Sequence, residues 1–326
     1  MGRVRPLDLA ADDPTVTADL VAGAPERFRP ALAEAAAGLL PANVALMRLH
    51  MEATSPAETE EALRLALASA EAAGADAEAV RLRAIERLRR DCPEAWRVVR
   101  SVLREADHAP SGNGPAGDAL TRWRAVFDRL AGTAPEAATA LYALGSPDLL
   151  AAATEEVVRR LGELGVLAPD RDLLEIGCGL GRFVAALAPD LRRVTGIDLS
   201  GAMVAQARRR SAGLPNVVFE QTNGRDLRAF SDQVFDIVLA ADVFPYLVAA
   251  GDRVAPDHIA ETARVLRPGG TLVVFNYSYR GDPARDERDF AEASRDAGLT
   301  PEPSRRENFA LWDAVRFLAR KPAAPS

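Results

Sequence analysis

Residues 173–183, reading LLEIGCGLGRF, restrict the fold of this chain more than any other stretch. They open with an apolar run of the kind that forms a strand buried in a parallel sheet. Glu175 comes next, and then three glycines at alternate positions, Gly177, Gly179 and Gly181. Glycine has no Cβ and accepts positive φ, so a glycine turn after a strand lets backbone approach a ligand closely. From Arg182 to Leu187 the pattern is apolar and helix-like. Strand, glycine turn and helix form the first unit of a nucleotide-binding α/β sheet. A tight turn without a ligand is the plainer alternative, and three alternate glycines between two apolar runs weigh against it.

Downstream, strand and helix patterns alternate. Strands are expected at 172–176, 193–197, 217–221, 235–240 and 271–275, the last after the turn Arg267-Pro268-Gly269-Gly270. A helix at 286–297 and a final strand over 309–320 come after these. Such alternation implies a doubly wound, mostly parallel sheet with helices on both faces, closed by antiparallel pairing at one edge. Right-handed crossovers then put a ligand at the carboxyl ends of strands 1 and 4.

Upstream the chain is helical. Residues 1–30 are Pro-, Asp- and Ala-rich and read as an irregular lead-in, and 31–107 are patterned as helices throughout. Ser55-Pro56-Ala57-Glu58 reads as a capping box with proline at the first helical position. The apolar faces of these helices must pack on each other or on another part of the chain. HAPSGNGPAGD at 108–118 is the best linker candidate. The expected division is a helical domain over 1–110, a linker over 111–120 and the α/β domain over 121–326, whose first helices (121–165) carry Trp123, Phe127 and Tyr142.

Composition excludes some classes. A net charge of −7 argues against a general nucleic-acid binder. No run reaches the ~18 apolar residues of a membrane helix, and the first residues lack the apolar core of a secretory signal. Two distant cysteines suggest no disulfide framework and fit a reducing cytoplasm. The cysteines and three histidines have no metal-ligand spacing.

Asp198 ends the second strand, 17 positions after Gly181. A carboxylate there can accept hydrogen bonds from both hydroxyls of a ribose; its plainer use is to cap the next helix. Leu199 and Met203 come next, Met203 placed under an adenine. After the third strand, Asn223 and Gly224 can offer a side-chain acceptor and a backbone N–H to that base, or form an ordinary turn.

Glu175 to Gly181, Asp198, Asn223-Gly224, the strand Phe235-Asp236-Ile237-Val238 and Leu266-Arg267-Pro268-Gly269-Gly270 resemble, in order and spacing, the class I S-adenosylmethionine (SAM) dependent methyltransferases, most of all their small-molecule branch. The resemblance runs from about 123 to 322 and implies a Rossmann-like fold. It also implies SAM as cofactor, held by the turn residues Glu175, Gly177, Cys178, Gly179 and Gly181, by Asp198, Leu199 and Met203, by Asn223 and Gly224, by Asp242, and by Tyr142 from a lid of helices. An aromatic face near a sulfonium is favoured by cation–π attraction. Many relatives carry Asp-Ala where this chain has Asn223-Gly224; an amide oxygen can serve as the same acceptor.

Methyl transfer from a sulfonium is an in-line displacement, and positioning supplies much of its rate. A base is needed where the nucleophile must lose a proton, and Asp242, Tyr246, His258, Tyr277 and Tyr279 are the candidates. His258 reads as a solvated residue at a helix start. Tyr277 and Tyr279 would share one face if the fifth strand continues. The leading expectation is a cytoplasmic methyltransferase acting on O, N or C of a small molecule. Its N-terminal helices would shape the acceptor pocket, form a homodimer or bind a partner protein. A non-catalytic SAM-binding module and a nucleotide-linked oxidoreductase are the rivals; Arg182 at the last glycine position of the dinucleotide pattern disfavours the second.

Overall fold

The computed structural model describes residues 19–107 and 116–324. Residues 1–18 of the lead-in and 108–115 of the linker candidate lie outside the described residues, while residues 116–120, expected as linker, already belong to a helix. Helices come first: α1 (Arg29–Ala36), α2 (Ala42–Glu52), α3 (Pro56–Ala72), α4 (Asp76–Asp91), α5 (Ala95–Asp107), α6 (Ala116–Thr133), α7 (Pro135–Thr139) and α8 (Pro147–Glu163). The α/β part then runs β1 (Asp172–Ile176), α9 (Arg182–Leu187), β2 (Arg193–Asp198), α10 (Gly201–Arg210), β3 (Val217–Gln221), β4 (Phe235–Ala241), α11 (Phe244–Ala250), α12 (Val254–Val265), β5 (Leu266–Phe275) and α13 (Pro283–Asp296). It closes with β6 (Thr300–Pro301), β7 (Arg305–Arg306) and β8 (Val315–Arg320).

The strands form one sheet in the order β3-β2-β1-β4-β5-β8-β6, with β7 also on β8. β1 to β5 pair in parallel, and β8 runs antiparallel to β5, β6 and β7. This is the mostly parallel, doubly wound α/β architecture. Sequence order reverses between β1 and β4, where a crevice must open at the strand ends. The register brings those ends level: Ile176 pairs with Ile197 and with Ala240, and Ala241 with Phe275.

Several local expectations change. The Arg267–Gly270 turn falls inside β5, where the register jumps from Phe235↔Leu266 to Ile237↔Thr271. The final strand is only Val315–Arg320, because 307–314 forms a loop that seats Phe309 and Trp312 in the core. Ser55 stands at the N-cap of α3 without a side-chain bond. Glu58 instead accepts from the N–H of Thr54, the residue before the cap, at 2.7 Å, so the capping box does not form.

The N-terminal helices are not a separate ball. Phe28, Leu32, Leu46, Leu49, Leu63 and Leu82 are fully buried, and their apolar cluster continues into Tyr142, Leu173, Phe183, Phe275 and Trp312. Polar ties reinforce the seam. Asn43 Nδ2 donates to the Tyr142 carbonyl at 2.9 Å and the Leu311 carbonyl at 2.8 Å. The Arg48 guanidinium meets Asp313 at 2.8 Å.

Candidate active site

The ends of β1, β2, β4 and β5 open into a cavity of about 930 Å³. Its floor is the glycine turn. Gly177, Gly179 and Gly181 have φ of 71°, 52° and 74°, backbone that L side chains rarely adopt. A Cβ on Gly177 would stand 2.6 Å from Val243, and one on Gly181 would stand 2.6 Å from Phe219. The alternate glycines are therefore required by the fold as well as by any ligand. Gly177 and Gly179 line the cavity; Gly181 lies behind, packed against β3 and α10.

Asp198 stands beside this floor and is buried. Its Oδ2 accepts from the Gly179 N–H at 2.8 Å, and its Oδ1 from the Ser200 N–H at 2.8 Å. Burial pushes its carboxyl above the ordinary range, while these N–H groups pull it back. A carboxylate offers about four lone pairs, so both oxygens can accept further bonds from the cavity. Asp198 does not cap α10: Ser200 does, accepting from the Met203 N–H at 3.1 Å. Helix α6 closes over this end. Asp128 accepts from the Ser200 hydroxyl at 2.6 Å, and Arg124 donates to the Leu199 carbonyl at 3.2 Å.

Leu199, Met203, Thr222 and Gly224 complete the wall on this side. Asn223 does not. It is exposed, and its Oδ1 is taken by the N–H of Arg225 at 2.7 Å, so its side chain shapes the turn. Glu175 and Cys178 also lie off the cavity. Glu175 is buried behind the turn, with Oε2 lacking a hydrogen-bond partner and its carboxyl pushed up to about 8 by burial. Cys178 is buried against Gly196, where burial raises its thiol well above the ordinary range.

Asp242 comes after β4 with φ of 56°, and Asn276 after β5 with φ of 61°. Two adjacent strand ends thus carry non-glycine residues in the left-handed region, a strain that persists only where surroundings enforce it. Asn276 is pinned by the Val315 N–H, which its Oδ1 accepts at 2.9 Å. That fixes its amide so that Nδ2 donates to Asp242 Oδ1 at 2.8 Å. The Tyr279 hydroxyl donates to the same oxygen at 2.9 Å, which leaves Oδ2 for a ligand. Burial pushes the Asp242 carboxyl up to about 6, against the opposing pull of Asn276 and Tyr279. Asp242 is not a helix cap, since Val243 holds that place on α11 without a side-chain bond.

Tyr246 faces the cavity and meets Trp123 and Phe127 edge-on, at ring-centroid distances of 4.8 and 5.3 Å. Tyr142 lines it too, stacked on Trp312 at 5.4 Å and accepting from Arg182 at 3.0 Å. Burial raises the Tyr142 hydroxyl to about 12. His258 also lines the cavity, yet it is buried within α12 and not solvated at a helix start. Its Nδ1 donates to the Val254 carbonyl at 2.8 Å, so in the neutral ring Nε2 is an acceptor. Tyr277 is not brought to the site. β5 ends at Phe275 and the left-handed Asn276 turns the chain, so Tyr277 packs among Phe244, Phe290 and Phe317 while Tyr279 swings over Asp242.

Asn276, Trp312 and Asp313 are site residues that motif reading did not find. Only Asn276 carried a signal, as a polar residue interrupting an apolar strand at its carboxyl end.

Residues 174–274 match the family model described as a methyltransferase domain. The chain is 37% identical over 116 residues to a demethylmenaquinone methyltransferase of Tropheryma whipplei, covering 36% of this chain and 45% of that protein. It is 36% identical over 161 residues to the 27-O-demethylrifamycin SV methyltransferase of Amycolatopsis mediterranei, covering 47% and 55%. The match thus spans about half the length of these relatives. In fold it is similar to phosphoethanolamine N-methyltransferase 1 of Haemonchus contortus, with a TM-score of 0.51 at 18% identity over 65% of this chain and 51% of the other. Residues 174–274 are thus a methyltransferase domain, similar there to methyltransferases named for small-molecule acceptors.

Proposed function

We propose that this protein transfers a methyl group from SAM to an O, N or C atom of a small-molecule acceptor, and does so in the cytoplasm. The observation that carries this reading is the pairing of Asp198 with the Gly179 N–H at one wall of a cavity large enough to hold a second molecule beyond it. SAM, when bound, supplies an electrophilic methyl group on a sulfonium. Gly177 and Gly179 give it close backbone approach, and the spare lone pairs of Asp198 accept from ribose hydroxyls. Leu199, Met203 and Gly224 offer an apolar slot for the base. The rings of Trp123, Phe127 and Tyr246 line the path beyond, where a sulfonium gains from aromatic faces. Both cysteines are free, and among the described residues no helix is long and apolar enough to cross a membrane. Of the roles open to the N-terminal helices, lining the acceptor end of the cavity is the one its walls support.

Calorimetry with SAM and its thioether product, S-adenosylhomocysteine (SAH), tests the reading, with NAD(H) as the control. Micromolar binding of SAH and none of NAD(H) is expected. Binding of NAD(H) in place of SAH would restore the oxidoreductase reading. Asp198→Ala is expected to weaken SAH at least tenfold, about 1.4 kcal/mol, as loss of charge-assisted hydrogen bonds should; unchanged affinity in a folded variant would refute the ribose assignment.

A further inference from the structure

The cavity continues past Asp242 and Tyr279 to a far wall made by the N-terminal helices, outside the matched domain: Pro30, Ala31, Met47, Met51, Val102 and Ala106. These six side chains are apolar, and methionine adapts its shape to irregular partners; Arg27, Glu34, Arg48 and Glu52 stand among them on the same wall. The cations on that wall are engaged. Arg48 pairs with Glu34 at 3.1 Å and Asp313 at 2.8 Å, Arg27 with Glu58 at 3.0 Å, and Arg306 donates to the Leu39 carbonyl at 2.7 Å. A phosphate or carboxylate would find these charges already paired. Met51 is partly exposed and marks where the chamber meets solvent.

The near end has the opposite character. Asp242 is held in a strained backbone conformation, with Oδ1 saturated by Asn276 and Tyr279 and Oδ2 without a hydrogen bond among the described residues. A neutral amine attacks with its own lone pair, whereas a hydroxyl must shed a proton, so a fixed carboxylate serves the second. The ring cluster of Trp123, Phe127 and Tyr246 beside it suits a flat partner.

Building on the methyltransferase reading above, we propose that the chamber between the N-terminal helices and Asp242 binds an uncharged, flat, apolar acceptor bearing a hydroxyl, and that Asp242 takes that hydroxyl's proton. In this step the O–H proton passes to Asp242 Oδ2 and an O–CH₃ bond forms. The S–CH₃ bond breaks with its electron pair on sulfur, and the donor leaves as a neutral thioether. Charge balances, since one carboxylate and one sulfonium are neutralised together.

The test uses the full chain and 1-naphthol as probe, with phosphoethanolamine as a charged control. SAH binding by the wild type is measured first; its absence would sink the methyltransferase reading itself. With SAH saturating, 1-naphthol is expected to bind and phosphoethanolamine not to. Val102→Trp and Ala106→Phe, which fill the far wall, should each weaken naphthol at least tenfold with SAH affinity unchanged. With methyl-labelled SAM, 1-methoxynaphthalene should form, and Asp242→Asn should lower kcat at least 100-fold with KM within threefold. No naphthol binding to the SAH complex, preference for phosphoethanolamine, or wild-type affinity in both filled variants overturns the chamber. Naphthol bound but not methylated, or methylated normally by Asp242→Asn, overturns the role given to Asp242.

Discussion

At Asp242 the raised carboxyl has two consequences of opposite benefit. A group whose pKa rises on folding from 3.8 to about 6 binds its proton more tightly in the native state. Native stability from this group is therefore present at low pH and lost as pH rises through that window. Asp242→Asn is expected to flatten this fall, so that the variant gains stability relative to wild type between pH 4 and 6 when melts are compared across pH. Activity should run the other way, rising through about pH 6 as the carboxylate forms. A second residue-scale expectation concerns His258. With Asn223 Oδ1 committed to its own turn, Nε2 of His258 is a buried acceptor on the wall it shares with Leu199 and Gly224. His258→Phe should weaken SAH about tenfold yet leave its 6-oxo analogue, S-inosylhomocysteine, unaffected by calorimetry; equal losses for both would exclude contact with the base amino group. Asp198 was legible because a strand-end acid is a local pattern. His258 was not, since its burial and its place in a cavity also lined by Leu120, from a distant stretch, are set by tertiary packing.

Among the elements, the strand–turn–helix unit was the most legible part of the chain. Its glycines answer to steric demands that local sequence expresses directly. Gly181→Ala should cost roughly 2–4 kcal/mol, combining left-handed backbone strain with a clash against Phe219. Urea unfolding measures it, and a loss under 1 kcal/mol would mean that β3 yields easily. The end of β5 was less legible. Alternation predicts that Tyr277 and Tyr279 share a face, and one left-handed residue, Asn276, breaks the period between them. Asparagine accepts left-handed backbone more readily than most residues, but the pattern does not say that this one adopts φ of 61°; its surroundings fix it through Val315 on the neighbouring antiparallel strand. The caps show the same limit. Ser146 accepts from the Leu149 N–H at 3.3 Å and caps its helix, whereas at Ser55 the expected side-chain bond is missing.

Across the whole molecule, the helices before residue 107 and the sheet after residue 172 draw on one apolar cluster, from Phe28 and Leu49 through Tyr142 to Phe275 and Trp312. We therefore expect a single cooperative unfolding transition by calorimetry, with the ratio of van't Hoff to calorimetric enthalpy near one. Two resolved transitions would indicate independent halves. Amphipathic faces could be read helix by helix, but not the surfaces they cover, because periodicity records that a face is buried and not by which partner. Asn43 makes this joining concrete. Its one amide nitrogen bonds a helix near the start of the chain to the lid at Tyr142 and to the loop at Leu311, 268 positions away. Any attempt to retarget the protein by exchanging its helical cap would have to import matching pieces of lid and closing loop with it, so the unit of acceptor choice is discontinuous along the chain.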